Sequence, residues 1–352
     1  MGKRIAIVGA GAVGGYVGAG LTASGQDVTL IDPWPAHVEA IRTHGMELYG
    51  LTPAERRTVK VNAMHLTEVQ SLAKQKPIDI AFVSVKSYDT VWATMLIRPY
   101  LAPGGCVVSM QNCINEERVA GVVGWGRTLG CIVTGGVGVD LYAPGHIRRG
   151  YARQPEVTSF YIGEPHGRIT RRAEEIAELM GAVDVAAATD NLWGERWTKL
   201  CVNGMRNGVS AATGLGGNER DGHDAVRRVC IALGGEAVRV GQKLGYTLGK
   251  VGVLDPETLA RAHEGDATAL AKIERQLLDS AAGSLRGENQ RPSMAQDMQK
   301  GRRTEIEFMN GFIAAKGAEA GVPAPTHARL TEVVLRVEHG ELPARPENVL
   351  WN

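Results

Sequence analysis

The chain has 352 residues, which is long enough for two domains that each have a core. Its 39 basic and 38 acidic residues nearly cancel and only 5% of its residues are aromatic, so the composition argues against a nucleic-acid partner. We expect no membrane partner, because no run of about 20 apolar residues occurs. The five cysteines are dispersed without a C-x-x-C pair, which argues against disulfides and a metal site and favours a cytoplasmic location.

The first predicted element is a strand that ends at Val8, and the chain then enters the turn Gly9-Ala10-Gly11-Ala12-Val13-Gly14. Small and apolar residues from Val13 to Ser24 predict a helix after this turn. A glycine turn of the G-x-G-x-x-G type lets the backbone approach a pyrophosphate, whose charge is stabilised at the helix N-terminus. The sequence therefore predicts a dinucleotide cofactor bound by residues 9–14.

The second predicted strand, Asp27–Ile31, leads into Asp32. This acid lies 18 residues after Gly14, close to the spacing of about 20 typical of a ribose-binding carboxylate. Such a carboxylate accepts hydrogen bonds from ribose hydroxyls and repels a 2′-phosphate, so Asp32 favours NAD(H) over NADP(H). Residues 33–37 supply no arginine or lysine for that phosphate. The alternative is that Asp32 caps the turn at Pro33.

Strand and helix patterns alternate through the first half of the chain, as in a parallel sheet with crossover helices. The predicted fold class is α/β, with a doubly wound, Rossmann-type domain over residues 1–189. Its further predicted elements are helices at His37–His44, Leu66–Lys74 and Ile169–Met180, and strands at Ile78–Val85, Cys106–Met110, Thr128–Val139, Thr158–Ile162 and Val183–Ala188.

From Asn191 onward the periodicity is almost wholly helical, so residues 190–352 are predicted to form an all-helical domain that carries substrate-binding and catalytic residues. The predicted helices are Leu192–Met205, Ala225–Leu244, Pro256–His263, Ala267–Ala282, Met294–Gly321 and Thr326–Glu338. An exposed stretch, Gly283–Arg291, separates two of them. Ligands of open α/β sheets bind at the carboxyl ends of the strands, so we expect the cofactor there.

One stripe of the first predicted helix of this second domain is polar. Lys199, Asn203 and Asn207 follow one another at intervals of four residues, which places an ammonium and two amides on one face. Asparagine is a poor helix former, so two of them are unusual on a merely solvated face. The stripe predicts a functional site, with an exposed polar face as the alternative.

A second polar segment begins at Ser293, which forms a capping box with Gln296 in the predicted helix. Glu305 follows 12 residues later, a little over three helical turns, and so returns to roughly the side of Ser293. We expect Glu305 to be a partner for Lys199; alone, it would be an ordinary surface acid.

Two further polar segments directly follow predicted strands. Lys86 comes after the strand that ends at Val85, and Asn112 comes after the strand that ends at Met110. Both fall at the sheet edge where the nicotinamide end of a cofactor should lie. The alternative is that these are ordinary loop residues.

Together these motifs resemble the ketopantoate reductase family over nearly the whole chain. The matching segments are GAGAVGG, VKSYDT, QN-x-x-x-EE, WTKLCVN, RPSMAQD and GRRTEIEFMNG. The resemblance implies hydride transfer from NAD(P)H to the ketone of a 2-oxo acid, by default 2-dehydropantoate, giving a 2-hydroxy acid. It implies that Lys199 is the general acid and that Glu305 is its partner and contacts the substrate and cofactor. It also implies that Ser293, Asn203 and Asn207 bind substrate, and that Lys86 and Asn112 lie where cofactor and substrate meet.

The chain departs from the family pattern in three ways. Cys113 replaces the glycine of the usual QNG turn, which puts the geometry of that turn in doubt. Asp32 stands where NADPH-dependent members carry a nearby base, so NADH is favoured by this residue and NADPH by the family default. The chain is also longer, with extra sequence around Val251–Gly287. These departures favour a related enzyme, an NAD-dependent D-2-hydroxyacid dehydrogenase for a bulkier 2-oxo acid.

Two alternatives lie outside the family. A β-hydroxyacid dehydrogenase also combines a glycine turn with a helical K-x-x-x-N, but residues 134–138 do not match its substrate loop. A non-catalytic NAD(H) sensor would not need the lysine, glutamate, serine and both asparagines together. The remaining expectations are a small-molecule 2-oxo acid as substrate and a helical domain that could support a homodimer.

Overall fold

The computed structural model describes residues 2–150, 152–282 and 292–351. The chain forms two compact units, Met1–Leu192 and Trp193–Asn352, whereas the sequence predicted a division between residues 189 and 190. The predicted exposed stretch Gly283–Arg291 lies outside the described residues.

The described part of the first unit contains strands and helices in alternation. The strands are β1 (Arg4–Val8), β2 (Asp27–Asp32), β3 (Met46–Tyr49), β4 (Arg57–Val59), β5 (Asn62–His65), β6 (Ile78–Val83), β7 (Leu101–Ser109), β8 (Thr128–Val133), β9 (Val139–Ala143), β10 (His146–Arg149), β11 (Phe160–Gly163) and β12 (Ala186–Thr189). The helices are α1 (Ala12–Ala23), α2 (Pro35–His44), α3 (Thr90–Ile97), α4 (Glu116–Val123) and α5 (Arg171–Gly181). Short 3₁₀ helices occupy Pro53–Glu55, Leu66–Lys74, Ser87–Asp89, Arg98–Tyr100 and Trp125–Arg127.

Eight strands form the main sheet in the order β12-β11-β8-β7-β6-β1-β2-β5. The pairs are parallel except β8 with β11, which is antiparallel. Its central strands are buried on both faces, as their continuous apolar runs predict. Two separate hydrophobic clusters cover the two faces, so the predicted Rossmann-type domain is confirmed. Leu66–Lys74, predicted as a helix, is a 3₁₀ helix, and α3 and α4 were not predicted.

A second sheet of four strands, in the order β4-β3-β10-β9, was not predicted. The predicted strand Thr128–Val139 was wrong as one element, because β8 ends at Val133 and Val139 begins β9 in this second sheet. The inner face of the second sheet packs on α1. A Cβ at Gly15 of α1 would lie 2.6 Å from Ile147 Cδ1 and 2.9 Å from Met46 Cε. Glycine at this position therefore allows the helix and the second sheet to come together.

The second unit is helical, as predicted. Its helices are α6 (Leu192–Gly204), α7 (Asn207–Thr213), α8 (Gly217–Gly222), α9 (Asp224–Lys243), α10 (Pro256–His263), α11 (Ala267–Ala282), α12 (Ser293–Gln299), a π-helix (Glu307–Gly311), α13 (Phe312–Ala320), α14 (Pro325–Glu338) and a 3₁₀ helix (Pro346–Val349). Within the described residues, no helix is both long enough and apolar enough to cross a bilayer.

A buried ion pair ties α1 to the rest of the first unit. The Arg149 guanidinium, at the end of β10, bonds to the Asp184 carboxylate and also donates to Tyr16 Oη at 2.6 Å and to the Gly136 carbonyl oxygen at 2.8 Å. Both charged side chains are almost fully buried. Removing one partner of such a pair leaves an uncompensated buried charge.

We expect Arg149→Met to lower the free energy of unfolding by about 3–5 kcal/mol, because Asp184 would remain buried without its counter-charge. Lys3→Met, which breaks the exposed ion pair with Glu175, is the control and should cost about 1 kcal/mol or less. Urea denaturation of both variants measures the difference. Equal losses of unfolding free energy in the two variants would show that the buried Arg149–Asp184 pair stabilises the fold no more than the exposed pair does.

Candidate active site

The glycine turn between β1 and α1 leaves an open cradle at the helix N-terminus. Gly9 has φ +96°, a conformation that favours glycine, and a Cβ on Gly14 would lie 2.0 Å from the Gly9 carbonyl oxygen. Around Gly11, by contrast, no atom of the described residues beyond Gly11 and its two chain neighbours lies within 4 Å of the position that a Cβ would take. No side chain caps α1, and its first turn carries no acid. The turn therefore fits a bound pyrophosphate.

The Ala10 peptide group of this turn is held on both sides. Its N–H donates to Asp32 Oδ2 at 2.8 Å, and its carbonyl oxygen lies 2.9 Å from His37 Nε2. His37 Nδ1 accepts from the Gly145 N–H at 2.9 Å, so the ring proton is on Nε2 and is donated to Ala10. Sequence reasoning missed this role of His37. The available signal was its position four residues before Ile41 on the buried side of α2.

Asp32 lies at the end of β2 and is buried. Besides the bond from Ala10, its Oδ1 accepts from the Trp34 N–H at 2.9 Å. The carboxylate therefore fixes the glycine turn and also caps the turn after β2, which was the alternative interpretation. Each carboxylate oxygen has a second lone pair, so these bonds leave acceptor capacity for ribose hydroxyls.

A hydrogen-bond network at the ends of β6 and β7 supports the segments that carry Lys86 and Asn112. Gln111 Nε2 donates to the Val85 carbonyl oxygen and to Thr90 Oγ1, both at 2.8 Å. Asn115 Nδ2 donates to Ser87 Oγ at 3.0 Å and to the Asn112 carbonyl oxygen at 2.9 Å. The two strand ends are thus joined through buried amides. Lys86 and Asn112 themselves are half-buried.

Cys113 follows Asn112 at the position where the family pattern has glycine. Its φ is +64°, and it is the one non-glycine residue with positive φ in the described parts of the chain. The turn thus keeps a left-handed conformation that glycine would adopt more easily, at a cost on the order of 1–3 kcal/mol. The cysteine departure therefore leaves the turn's backbone in a glycine-like shape.

Lys199 lies in the last two turns of α6 and is half-buried. Burial, with a contribution from the nearby Arg206 guanidinium, lowers the pKa of its ammonium to about 8. Arg206 was not selected from the sequence, although it lies between Asn203 and Asn207. An ammonium with this pKa is largely protonated at neutral pH and is a stronger acid than an exposed lysine.

The expected continuous stripe from Lys199 to Asn207 was wrong. Lys199 and Asn203 share α6, but this helix ends at Gly204 and Asn207 begins α7. At the break, the Arg206 N–H donates to the Asn203 carbonyl oxygen at 3.1 Å. This bond spans three residues, whereas the bonds of an α-helix span four. Both asparagines are buried rather than solvated.

The predicted helix Met294–Gly321 was also wrong as one element. It is broken between Gln299 and Glu307, with Gly301 at φ +60°, so the argument that Glu305 returns to the side of Ser293 fails. Ser293 is the first residue of α12 and Pro292 is its N-cap, without a side-chain capping bond, so the predicted capping box is absent there. Glu305 is buried in the segment before the π-helix, and Ser293 is half-buried.

The predicted site residues are divided between the two units. The first unit carries the glycine turn, Asp32, Lys86 and Asn112 at strand ends of its sheet. The second unit carries Lys199, Asn203, Asn207, Ser293 and Glu305 on α6, α7, α12 and the segment after α12. Among the residues that the structure describes, no cluster of three or more histidines, cysteines or carboxylates could hold a metal ion.

The glycine turn and the mostly parallel sheet define the first unit as a Rossmann-type dinucleotide-binding domain. Residues 5–163 match the family model "Ketopantoate reductase PanE/ApbA", and residues 191–338 match its C-terminal counterpart. The chain therefore belongs to the ketopantoate reductase family. The predicted family is confirmed, and with it an oxidoreductase that acts on CH–OH donors, in preference to the β-hydroxyacid dehydrogenase group.

Individual relatives match over almost their whole length. The chain is 29% identical to a 2-dehydropantoate 2-reductase from Archaeoglobus fulgidus, over 96% of this chain and 99% of the relative. A ketopantoate reductase structure from Ralstonia eutropha matches with a TM-score of 0.76 and 27% identity, covering 96% of this chain and 99% of that one. D-mandelate dehydrogenase with NADH and anilino(oxo)acetate has the same fold, with a TM-score of 0.77, 22% identity and coverage of 96% and 98%.

Two glycine substitutions separate the packing of the turn from its fit to a ligand. We expect Gly14→Ala to destabilise the fold by about 1–3 kcal/mol or more, because its Cβ would overlap the Gly9 carbonyl oxygen. The Cβ of Gly11→Ala would point into open space, so this variant should lower the free energy of unfolding by about 1 kcal/mol or less. It should nevertheless weaken dinucleotide binding. Thermal melting and titration of nucleotide fluorescence measure the two effects. Unchanged affinity in Gly11→Ala would contradict a pyrophosphate at this turn.

Proposed function

We propose that this protein reduces the ketone of 2-dehydropantoate to the 2-hydroxy acid pantoate, using a reduced nicotinamide dinucleotide. The observation that carries the proposal is the match of both units to the two parts of the ketopantoate reductase family. The fit of the glycine turn to a pyrophosphate supports the cofactor, and the lowered pKa of Lys199 supports a proton donor.

The chemistry requires a hydride and a proton. The nicotinamide, when bound, supplies the hydride. As negative charge grows on the ketone oxygen, the Lys199 ammonium stabilises that charge and donates the proton. Arginine would serve poorly in this role, since a guanidinium does not readily release a proton.

The other predicted residues would bind and orient the reactants. We assign contacts with the substrate carboxylate and hydroxyl to Ser293, Asn203 and Asn207. Glu305 would orient Lys199 and contact the substrate and cofactor. Asn112 and Lys86 would act at the strand ends that support the nicotinamide end of the cofactor. All of these assignments follow the family motif at matching positions.

For the cofactor, we propose NADH. Asp32 lies at the end of β2 and keeps acceptor capacity for ribose hydroxyls beyond its two backbone bonds. A 2′-phosphate would bring negative charge toward this buried carboxylate, and residues 33–36 offer no cation to offset it. The preference for NADH that Asp32 implies also favours a second candidate function, an NADH-dependent reductase of a bulkier 2-oxo acid. The homodimer and the cytoplasmic location stay predictions.

The direct test is the initial rate of NADH oxidation and, separately, of NADPH oxidation with 2-dehydropantoate and a panel of aliphatic and aromatic 2-oxo acids. Turnover of 2-dehydropantoate with NADH supports the proposal. Preference for an aromatic 2-oxo acid selects the second candidate. Tight nucleotide binding without turnover of any 2-oxo acid would indicate a sensor and contradict the proposal.

Lys199 gives two linked predictions. Lys199→Ala should lower kcat by about 100-fold or more and leave nucleotide affinity unchanged, and Lys199→Arg should not restore activity.

In the wild type, kcat/KM for reduction should be level below pH about 8 and fall above it, since the ammonium is the active form. Arg206→Met should move this inflection to higher pH, because removing the guanidinium favours the ammonium. A rate that does not depend on Lys199 would exclude it as the acid.

Asp32→Ala tests the basis of cofactor choice. We expect the ratio of kcat/KM for NADH to that for NADPH to fall, because the variant no longer repels a 2′-phosphate. Thermal melting is measured in parallel, since the lost bonds to Ala10 and Trp34 should cost about 1–3 kcal/mol. A lower melting temperature with an unchanged ratio would mean that Asp32 only caps the turns.

A further inference from the structure

The end of α6 depends on an amide from a distant segment. The last carbonyl groups of a helix lack intrahelical partners, and α6 ends at Gly204, one residue after Asn203. The Gly204 carbonyl oxygen accepts a hydrogen bond from Asn310 Nδ2 at 2.8 Å. Asn310 lies 106 positions further along the chain, in the π-helix.

A buried histidine fixes the orientation of the Asn310 amide. His327 Nε2 lies 2.8 Å from the Leu233 carbonyl oxygen, which can only accept, so Nε2 carries the ring proton. His327 Nδ1 is therefore an acceptor and takes the second hydrogen of Asn310 Nδ2 at 3.0 Å. Burial lowers the pKa of His327 to about 4, which keeps the ring neutral near pH 7. A flipped amide would place its oxygen against two acceptors.

The third side of the amide faces α7. A Cβ on Gly208, one residue after Asn207, would lie 3.3 Å from Asn310 Oδ1. This oxygen is buried and has no hydrogen-bond partner among the described residues. Burying this oxygen is unfavourable. In return, the amide fills the junction of α6 and α7. Asn310 thus contacts both helices at their break, beside Asn203 and Asn207.

Asn310 lies in the π-helix. Asn310 and His327 are both fully buried, so neither is placed to touch a substrate. Glu305 is five residues before Asn310, in the segment that leads into the π-helix. Single-turn π-helices often occur at functional sites. Here the Asn310 side chain links the segment that contains Glu305 to the α6–α7 junction.

We propose that Asn310, oriented by His327, is a positioning residue that holds the α6–α7 junction, with Asn203 and Asn207, at a fixed distance from the Glu305 segment. This proposal rests on the function proposed above. It makes the geometry of the substrate-binding polar groups depend on an amide that the substrate never contacts. Small misplacements of such groups reduce turnover steeply.

The test compares Asn310→Ala and the isosteric Asn310→Asp with the control Asn348→Ala. Asn348 Nδ2 also donates to two carbonyl oxygens, those of Ala212 and Pro343, and so ties down the far end of α7. We expect both Asn310 variants to lower kcat with 2-dehydropantoate by about 10- to 100-fold while nucleotide affinity is unchanged. Asn348→Ala should lower the melting temperature but leave kcat within about twofold of the wild type.

Hydrogen–deuterium exchange provides a readout that does not depend on turnover. Exchange of residues 203–208 should become faster in the Asn310 variants and stay at the wild-type rate in Asn348→Ala. If the wild type turns over no 2-oxo acid, the proposed function fails and exchange alone decides the positioning role. Wild-type kcat in Asn310→Asp, unchanged exchange at the junction, or equal loss of kcat in Asn348→Ala would each overturn the proposal.

Discussion

The close packing of α1 against its surroundings is the constraint on which the first unit depends. Four of the twelve residues of α1 are glycine, and a Cβ at each would collide with a different neighbour. Gly14 faces the Gly9 carbonyl oxygen, Gly15 faces the second sheet, Gly18 faces Leu30 of β2, and Gly20 faces Val183. The helix can therefore lie deep between the two sheets. The turn at its N-terminus is fixed there by the bonds of Asp32 and His37 to Ala10.

Polar side chains in this protein divide into two kinds. His37, Asn115 and Asn310 are fully buried and bond to backbone groups of neighbouring segments. Lys86 and Lys199 keep part of their surface exposed. The first kind shapes the turns and helix ends, and the second kind includes the residues to which we assign contacts with small molecules. Asp32 combines both characters, because its backbone bonds leave lone pairs for a ligand.

The sequence predicted the parts of the fold that local patterns encode. Continuous apolar runs identified β1 and β6, and sustained periodicity identified α9 to α11. The break after Gln299 was missed, because hydrophobic periodicity reports which face is buried and not whether backbone bonds continue. The end of α6 was predicted within one residue, at Met205, but Asn207 was still placed on the stripe of that helix. The second sheet was missed because its short strands mix polar and apolar residues and so lack a continuous apolar run. For the site, residue types at strand ends and on α6 were visible. Their supports, such as His37 and His327, were hidden because their partners are remote in sequence.

The glycines of α1 also affect the order in which the chain can acquire structure. Glycine inside a helix costs roughly 1 kcal/mol relative to alanine, so a segment with four of them has little helical tendency alone. Its stabilising neighbours include Ile147 and Val183, which are synthesised more than 100 residues later. We therefore expect the first helix to leave the ribosome to be among the last to become fixed. The nucleotide site would then form only when nearly the whole first unit is present.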